Sequence, residues 1–184
     1  MKHSAISVLF FTALCGVGST STAHAFDLTS TDMKVNGRLN ERQVANAFGC
    51  SGGNQSPQLA WKNPPKGIRS YAVTAYDPDA PTGSGWWHWV VWNIPASVTS
   101  LPSGNGQSAA LPEGAVAGRT DAGVAGYFGA CPPAGSKPHR YIFKVYALKV
   151  DKLEVPDDPM PAMVGFMLKA NSLGEATLTA RYGR

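Results

Sequence analysis

Two segments hold most of the side chains able to do chemistry. They are Asp77-Pro-Asp-Ala-Pro-Thr-Gly-Ser-Gly-Trp-Trp-His88 and Cys131-Pro-Pro-Ala-Gly-Ser-Lys-Pro-His139-Arg-Tyr141. Paired carboxylates such as Asp77 and Asp79 can serve as acid and base, or hold a hard cation. The same pair can instead close an Asx-type turn by accepting backbone N–H groups. His88 and His139 each follow a Pro/Gly-rich loop and open an aromatic, apolar run. Imidazoles in that position can hydrogen-bond a phosphate, carboxylate or sulfate. The competing reading of His88 is a half-buried residue among tryptophans. Proline-stiffened loops over a packed scaffold can fix such groups in place. Asp77, Asp79, His88 and His139 are therefore expected to meet at one sheet end.

Several familiar chemistries have no motif here. There is no P-loop, H-E-x-x-H or C-x-x-C. Two histidines and a carboxylate form a possible iron or zinc set, assembled only by the fold. No cofactor is called for. A binding protein is favoured over an enzyme, with a weak His/Asp hydrolase as one alternative. The other is an inhibitor or interaction module acting as a homodimer, with the Gly- and Ala-rich stretch Ser97–Gly129 as its contact surface.

The elements that must position these groups read mainly as strands. Ser70–Tyr76, Trp87–Ile94 and Tyr141–Leu148 are dense in branched and aromatic residues, as in central strands covered on both faces. A period of two places His88, Val90 and Trp92 on one face and Trp87, Trp89 and Val91 on the other. Shorter strands are expected at Phe26–Thr31, Arg38–Ala45, Gln58–Trp61 and Ala176–Tyr182. Ser97–Gly129 reads as a surface excursion with a short strand near Val116. Met160–Ser172 reads as a helix whose methionines pack into the core.

Residues 1–25 read as a cleaved secretory signal: Lys2, the apolar run Ala5–Gly18, then Ala23-His24-Ala25. The run of about 14 residues falls short of the ~20 that a spanning helix needs. Residues 26–184 then form one domain, with no later stretch apolar enough to span a membrane. The chain carries 16 Lys and Arg against 12 Asp and Glu, scattered without a basic block, which argues against nucleic acid as partner. Cys15 leaves with the leader. Cys50 and Cys131 remain; in a periplasmic or secreted setting they pair, the alternative being two buried thiols.

Asp77-Pro-Asp-Ala-Pro81, Trp87-His-Trp89 and Val90-Val-Trp-Asn-Ile-Pro95 resemble the signature of the phosphatidylethanolamine-binding protein family, also called Raf kinase inhibitor-like. Gly126-Tyr-Phe-Gly-Ala-Cys-Pro-Pro133 through Pro138-His-Arg-Tyr141 matches its second half. The leader and the cysteine pair are similar to the exported bacterial branch. The resemblance runs from about Phe26 to Tyr182. It implies a β-sandwich with a large antiparallel sheet, a few short helices and a small cavity for phosphate or a phospholipid head group. It places Asp77, Asp79, His88, Pro132, His139 and Tyr141 at that cavity and makes Arg140 structural, tied to an acidic residue. Ala130 stands where bacterial members often carry proline, which is expected to loosen the rim. Cys131 stands where eukaryotic members carry glycine. Their C-terminal helix has no match in Arg181–Arg184, so a more open cavity is expected.

Overall fold

The computed structural model describes residues 25–105 and 110–184; the expected leader and Cys15 lie outside them. The architecture is mainly β, with two antiparallel sheets layered face to face and one helix behind the larger. The large sheet has five strands. They are β4 (Ser70–Asp77), β5 (Trp86–Pro95), β8 (Val116–Ala117), β9 (His139–Leu148) and β10 (Ser172–Tyr182), in the order β10-β9-β4-β5-β8. The three apolar runs are its central strands, as their composition requires. A smaller sheet joins β1 (Asp27–Thr29), β3 (Leu59–Lys62) and β6 (Ser100–Leu101); β2 (Gln55–Ser56) pairs with β7 (Gly104–Asn105).

The main core lies between the two sheets. Leu28, Leu59, Trp61 and Leu101 from the small sheet meet Tyr71, Val73, Trp89, Val91, Phe143 and Val145 from the large one. The opposite face of the large sheet carries Ala72, Val90, Trp92, Tyr146 and Leu148, covered by Val164 and Leu168 of helix α1 (Pro161–Asn171). Pro161 opens the helix, where a missing N–H costs nothing. The close seat on β5 requires Gly165, because a Cβ there would stand 2.8 Å from the Trp87 ring. No helix among the described residues is long and apolar enough to cross a membrane.

Four expectations are corrected. Arg38–Ala45 is not a strand. Glu41–Gln43 forms a single 3₁₀ turn capped by Asn40, flanked by isolated bridges Arg38–Arg181 and Val44–Ala130. Ser97–Gly129 is not a surface excursion throughout. Leu101, Thr120 and Tyr127 are buried, and the Tyr127 hydroxyl donates to the Gln43 carbonyl at 2.8 Å. The methionine face of α1 is core only in part, because only one stripe of an apolar helix can face the sheet. Val164 and Leu168 take that stripe and Met167 packs at its edge, leaving Met160, Met163 and Phe166 exposed. Finally, the period of two fails inside β5. Ala75 pairs with Trp89 but Tyr76 with Trp87, so His88 is a surplus residue in a β-bulge. Trp87 therefore packs beside Val90 and Trp92, while His88 meets Tyr141 on the other side.

Candidate functional site

The bulge bears on function because it re-aims one imidazole. His88 turns toward the end of the large sheet where β4 finishes at Asp77 and β9 begins at His139. Its ring meets Tyr141 edge-on at 5.2 Å between centroids. Its Nδ1 lies 2.8 Å from the Phe128 carbonyl, and the Phe128 N–H returns a 2.8 Å bond to the His88 carbonyl. A carbonyl can only accept, so Nδ1 carries the proton and Nε2 of the neutral ring is left as an acceptor. Burial pushes the imidazole below its ordinary value, against the opposing pull of the Phe128 carbonyl and the Asp77 and Asp121 carboxylates.

Asp77 is only 2% exposed, and both its oxygens are engaged. One accepts the Asp79 N–H at 2.8 Å, closing an Asx turn that Pro78 pre-shapes. The other accepts Nδ1 of His139 at 2.7 Å. His139 thereby presents Nε2 away from the carboxylate, 3.5 Å from the Ser136 hydroxyl. Tyr141, one turn of the pleat further along β9, is 2% exposed. Its hydroxyl has no hydrogen-bond partner among the described residues. Burial, then the Asp77 carboxylate, push that phenol far above its ordinary range, so it stays a proton donor.

These groups share a cavity of about 240 Å³. Asp77, His88, His139 and Tyr141 form its polar floor, and Pro132 stands in its wall. The two distant segments of the sequence thus meet, as expected. Asp79 is placed elsewhere: it does not line the cavity. It accepts the Arg140 backbone N–H and both arms of the Arg140 guanidinium at 2.7–2.9 Å. That clamp holds its carboxyl down at about 2. Its role is to fasten the 77–81 loop to the start of β9, and Arg140 is structural as expected.

The rim contains residues that the sequence reading passed over. Phe48, Trp86 and Phe128 contribute rings to the wall. Cys50 and Cys131 form a disulfide across 81 positions, joining the loop that carries Phe48 to the loop that carries Pro132. Gly129 allows the 126–133 segment to lie against residues 43–45; a Cβ there would come within 2.3 Å of the Ala45 nitrogen. Ala130 does not loosen this rim. It bonds Gln43 and Ala45 through its backbone, at 3.2 and 3.0 Å, and is fully buried. Phe128 was visible inside the Gly126–Pro133 motif. Phe48 had a subtler signal, its place two residues before a cysteine that must reach the second loop.

No three or more His, Cys, Asp or Glu residues gather in a metal-binding arrangement among the described residues. A second groove, of about 480 Å³, runs along Trp92, Arg119 and Asp158. Its guanidinium is already paired with Asp158 at 3.2 Å, and it holds no histidine.

The layered β-structure carries a Pro-walled cavity floored by a His–Asp pair, a second imidazole and a phenol, a candidate small-ligand site. The family model for phosphatidylethanolamine-binding protein matches residues 29–183, and the chain belongs to that family. It is 50% identical over 178 residues to UPF0098 protein YbcL of Escherichia coli (strain K12), covering 96% of this chain and 97% of that protein. UPF0098 protein YbhB of the same organism is 49% identical over 156 residues, 84% of this chain and 98% of its own length. The crystal structure of E. coli YbcL, described as a new member of the mammalian PEBP family, superposes with a TM-score of 0.83. It shares 52% identity and covers 86% of this chain and 98% of that one.

Proposed function

We propose that this is an exported, non-enzymatic binding protein, periplasmic or secreted, whose cavity holds a small oxyanion such as phosphate or a phospholipid head group. The observation that carries the reading is the Tyr141 hydroxyl: a buried donor without a partner among the described residues, in the polar floor. Burying such a group unpaired costs about 1–3 kcal/mol, a cost that a bound acceptor removes. The cysteine pair and the apolar leader support export.

The floor also predicts the protonation state of the ligand. No Lys or Arg is among the described residues that line the cavity. Asp77 does not confront the anion with free lone pairs, since both oxygens are occupied. His139 keeps Nδ1 on Asp77 and turns Nε2 to the cavity. Tyr141 supplies a donor, while Nε2 of His88 accepts. A phenol donor beside an imidazole acceptor, with no cationic Lys or Arg lining residue, suits a singly charged oxyanion that keeps one P–OH, rather than a dianion.

Isothermal titration with inorganic phosphate and with phosphoethanolamine tests this. Both should bind more tightly at pH 5.5 than at pH 8, because a phosphomonoester gains its second charge near pH 6. His88→Ala should weaken phosphate at pH 5.5 by about tenfold, the loss of one hydrogen bond. Equal affinity in the wild type and His88→Ala would remove this pocket assignment.

A further inference from the structure

The mouth of the cavity differs in chemistry from its floor. Phe48 stands there with 68% of its surface exposed, although its ring centroid lies 5.5 Å from that of Phe128. Water contact on that scale is unfavourable for a phenyl ring and is usually relieved by burial. Its backbone is also unusual, with φ 53° followed by Gly49 at φ 79°. A bulky residue in the left-handed region persists only where its surroundings impose it.

Those surroundings are specific. The two left-handed residues turn their carbonyls toward Arg184. Its guanidinium donates to the Gly49 carbonyl at 3.0 Å, to the Phe48 carbonyl at 3.4 Å and, through Nε, to the Pro132 carbonyl at 2.8 Å. The Gly135 N–H donates to the Arg184 carbonyl at 2.9 Å, tying the same side chain's backbone to the second rim loop. One residue thus bridges both sides of the mouth beside the Cys50–Cys131 bond.

We propose that Phe48 is the specificity-determining residue of this cavity, selecting phosphate esters that carry an apolar group next to the phosphoryl over the bare ion, and that Arg184 is its positioning residue. This rests on the anion reading above and adds the class of ligand. The phosphoryl reaches the floor, and the ester's carbon atoms remain at the level of Phe48, Phe128 and Trp86. The charged group beside that level, the Arg184 guanidinium, already donates to three backbone carbonyls, and no Lys or Arg is among the described residues that line the cavity. Covering part of the Phe48 ring and one face of a ligand phenyl group removes enough apolar surface for about a tenfold gain in affinity.

The experiment compares three probes by titration at pH 5.5: inorganic phosphate, phenyl phosphate and phosphoethanolamine. The wild type should bind phenyl phosphate about tenfold more tightly than phosphate, with phosphoethanolamine nearer to phosphate. Phe48→Ala should reduce the phenyl-to-phosphate ratio to about one. Arg184→Gln should lower the ratio at least threefold, whereas a purely structural role would lower both affinities together and leave the ratio near the wild-type value. A wild-type ratio near one with phosphate still bound overturns the selectivity and spares the anion reading. A stronger preference for phosphoethanolamine does the same. An unchanged ratio in Arg184→Gln overturns the positioning role. Absence of binding by all three probes overturns both proposals.

Discussion

Replacing Tyr141 by Phe separates stability from binding, because the hydroxyl is expected to act on the two in opposite directions. In the free protein the group is buried and unpartnered among the described residues. An orphaned buried hydroxyl costs about 1–3 kcal/mol, and its removal leaves a void smaller than a methyl group. The net expectation is a gain of about 1 kcal/mol, or about 2–4 °C in Tm for a domain of this size. In the complex the same hydroxyl would donate to a charged oxygen, a bond worth about 1.5–3 kcal/mol. Taking about 2 kcal/mol, phosphate affinity should fall roughly thirtyfold. With phosphate at a hundred times the wild-type Kd, ligand should stabilise the wild type by about 2.7 kcal/mol and the variant by only about 0.9 kcal/mol. Urea denaturation with and without phosphate reads both quantities. The variant should be the more stable protein in plain buffer and the less stable one in phosphate. If Tyr141→Phe lowers stability without ligand and binds phosphate as the wild type does, the hydroxyl is a structural group and the site argument fails.

Other consequences concern the frame around the site. Asp79→Asn should cost about 1 kcal/mol near neutral pH, discounted because the Arg140 pair is partly open to solvent. Since the folded carboxyl is held at about 2, this contribution is complete above pH ~4 and fades as the pH falls toward 2; paired acid titrations of both proteins would show the difference closing. Replacing Cys50 and Cys131 by Ser opens a loop of 81 positions and should cost about 4–5 kcal/mol, read as a fall of roughly 10 °C or more in Tm; a change under 2 °C would contradict it. The His88 ring should titrate below 6.5 in an NMR pH series, because burial disfavours its charged form. The unfolded chain then binds the extra proton more readily, so this group's share of stability is present above pH 6.5 and is lost as the pH falls below it.

Much of this could be read from residue order, for identifiable reasons. The three central strands were legible because burial on both faces demands continuous apolar runs, and Ser70–Tyr76 and Tyr141–Leu148 have them. The meeting of His88 with His139 was legible because each opens a strand after a rigid loop. The bulge was not, since a surplus residue changes no composition and periodicity assumes none is present. Asp79 misled because its spacing from Asp77 is the same whether it faces a ligand or Arg140; only the fold shows the guanidinium taking both its oxygens. The 3₁₀ turn at Glu41–Gln43 hid in a segment whose Leu39, Val44 and Ala45 suggested a strand, although Asn40 marked a cap. The contribution of Phe48 required knowing where the 50–131 bond would bring it.

The surplus residue in β5 has an evolutionary implication. A surplus residue at this point can be healed by losing a codon, and the repaired ladder would pass from Ala75 to Tyr76 without a register shift. Such a shortened strand would fold well, yet it would turn the ring away from the hollow and leave the phenol of Tyr141 facing an unfurnished wall. Natural variation at this point should therefore tolerate exchanges of side chain more readily than changes of length. A relative lacking that single residue would be expected to have kept the architecture while abandoning the ligand.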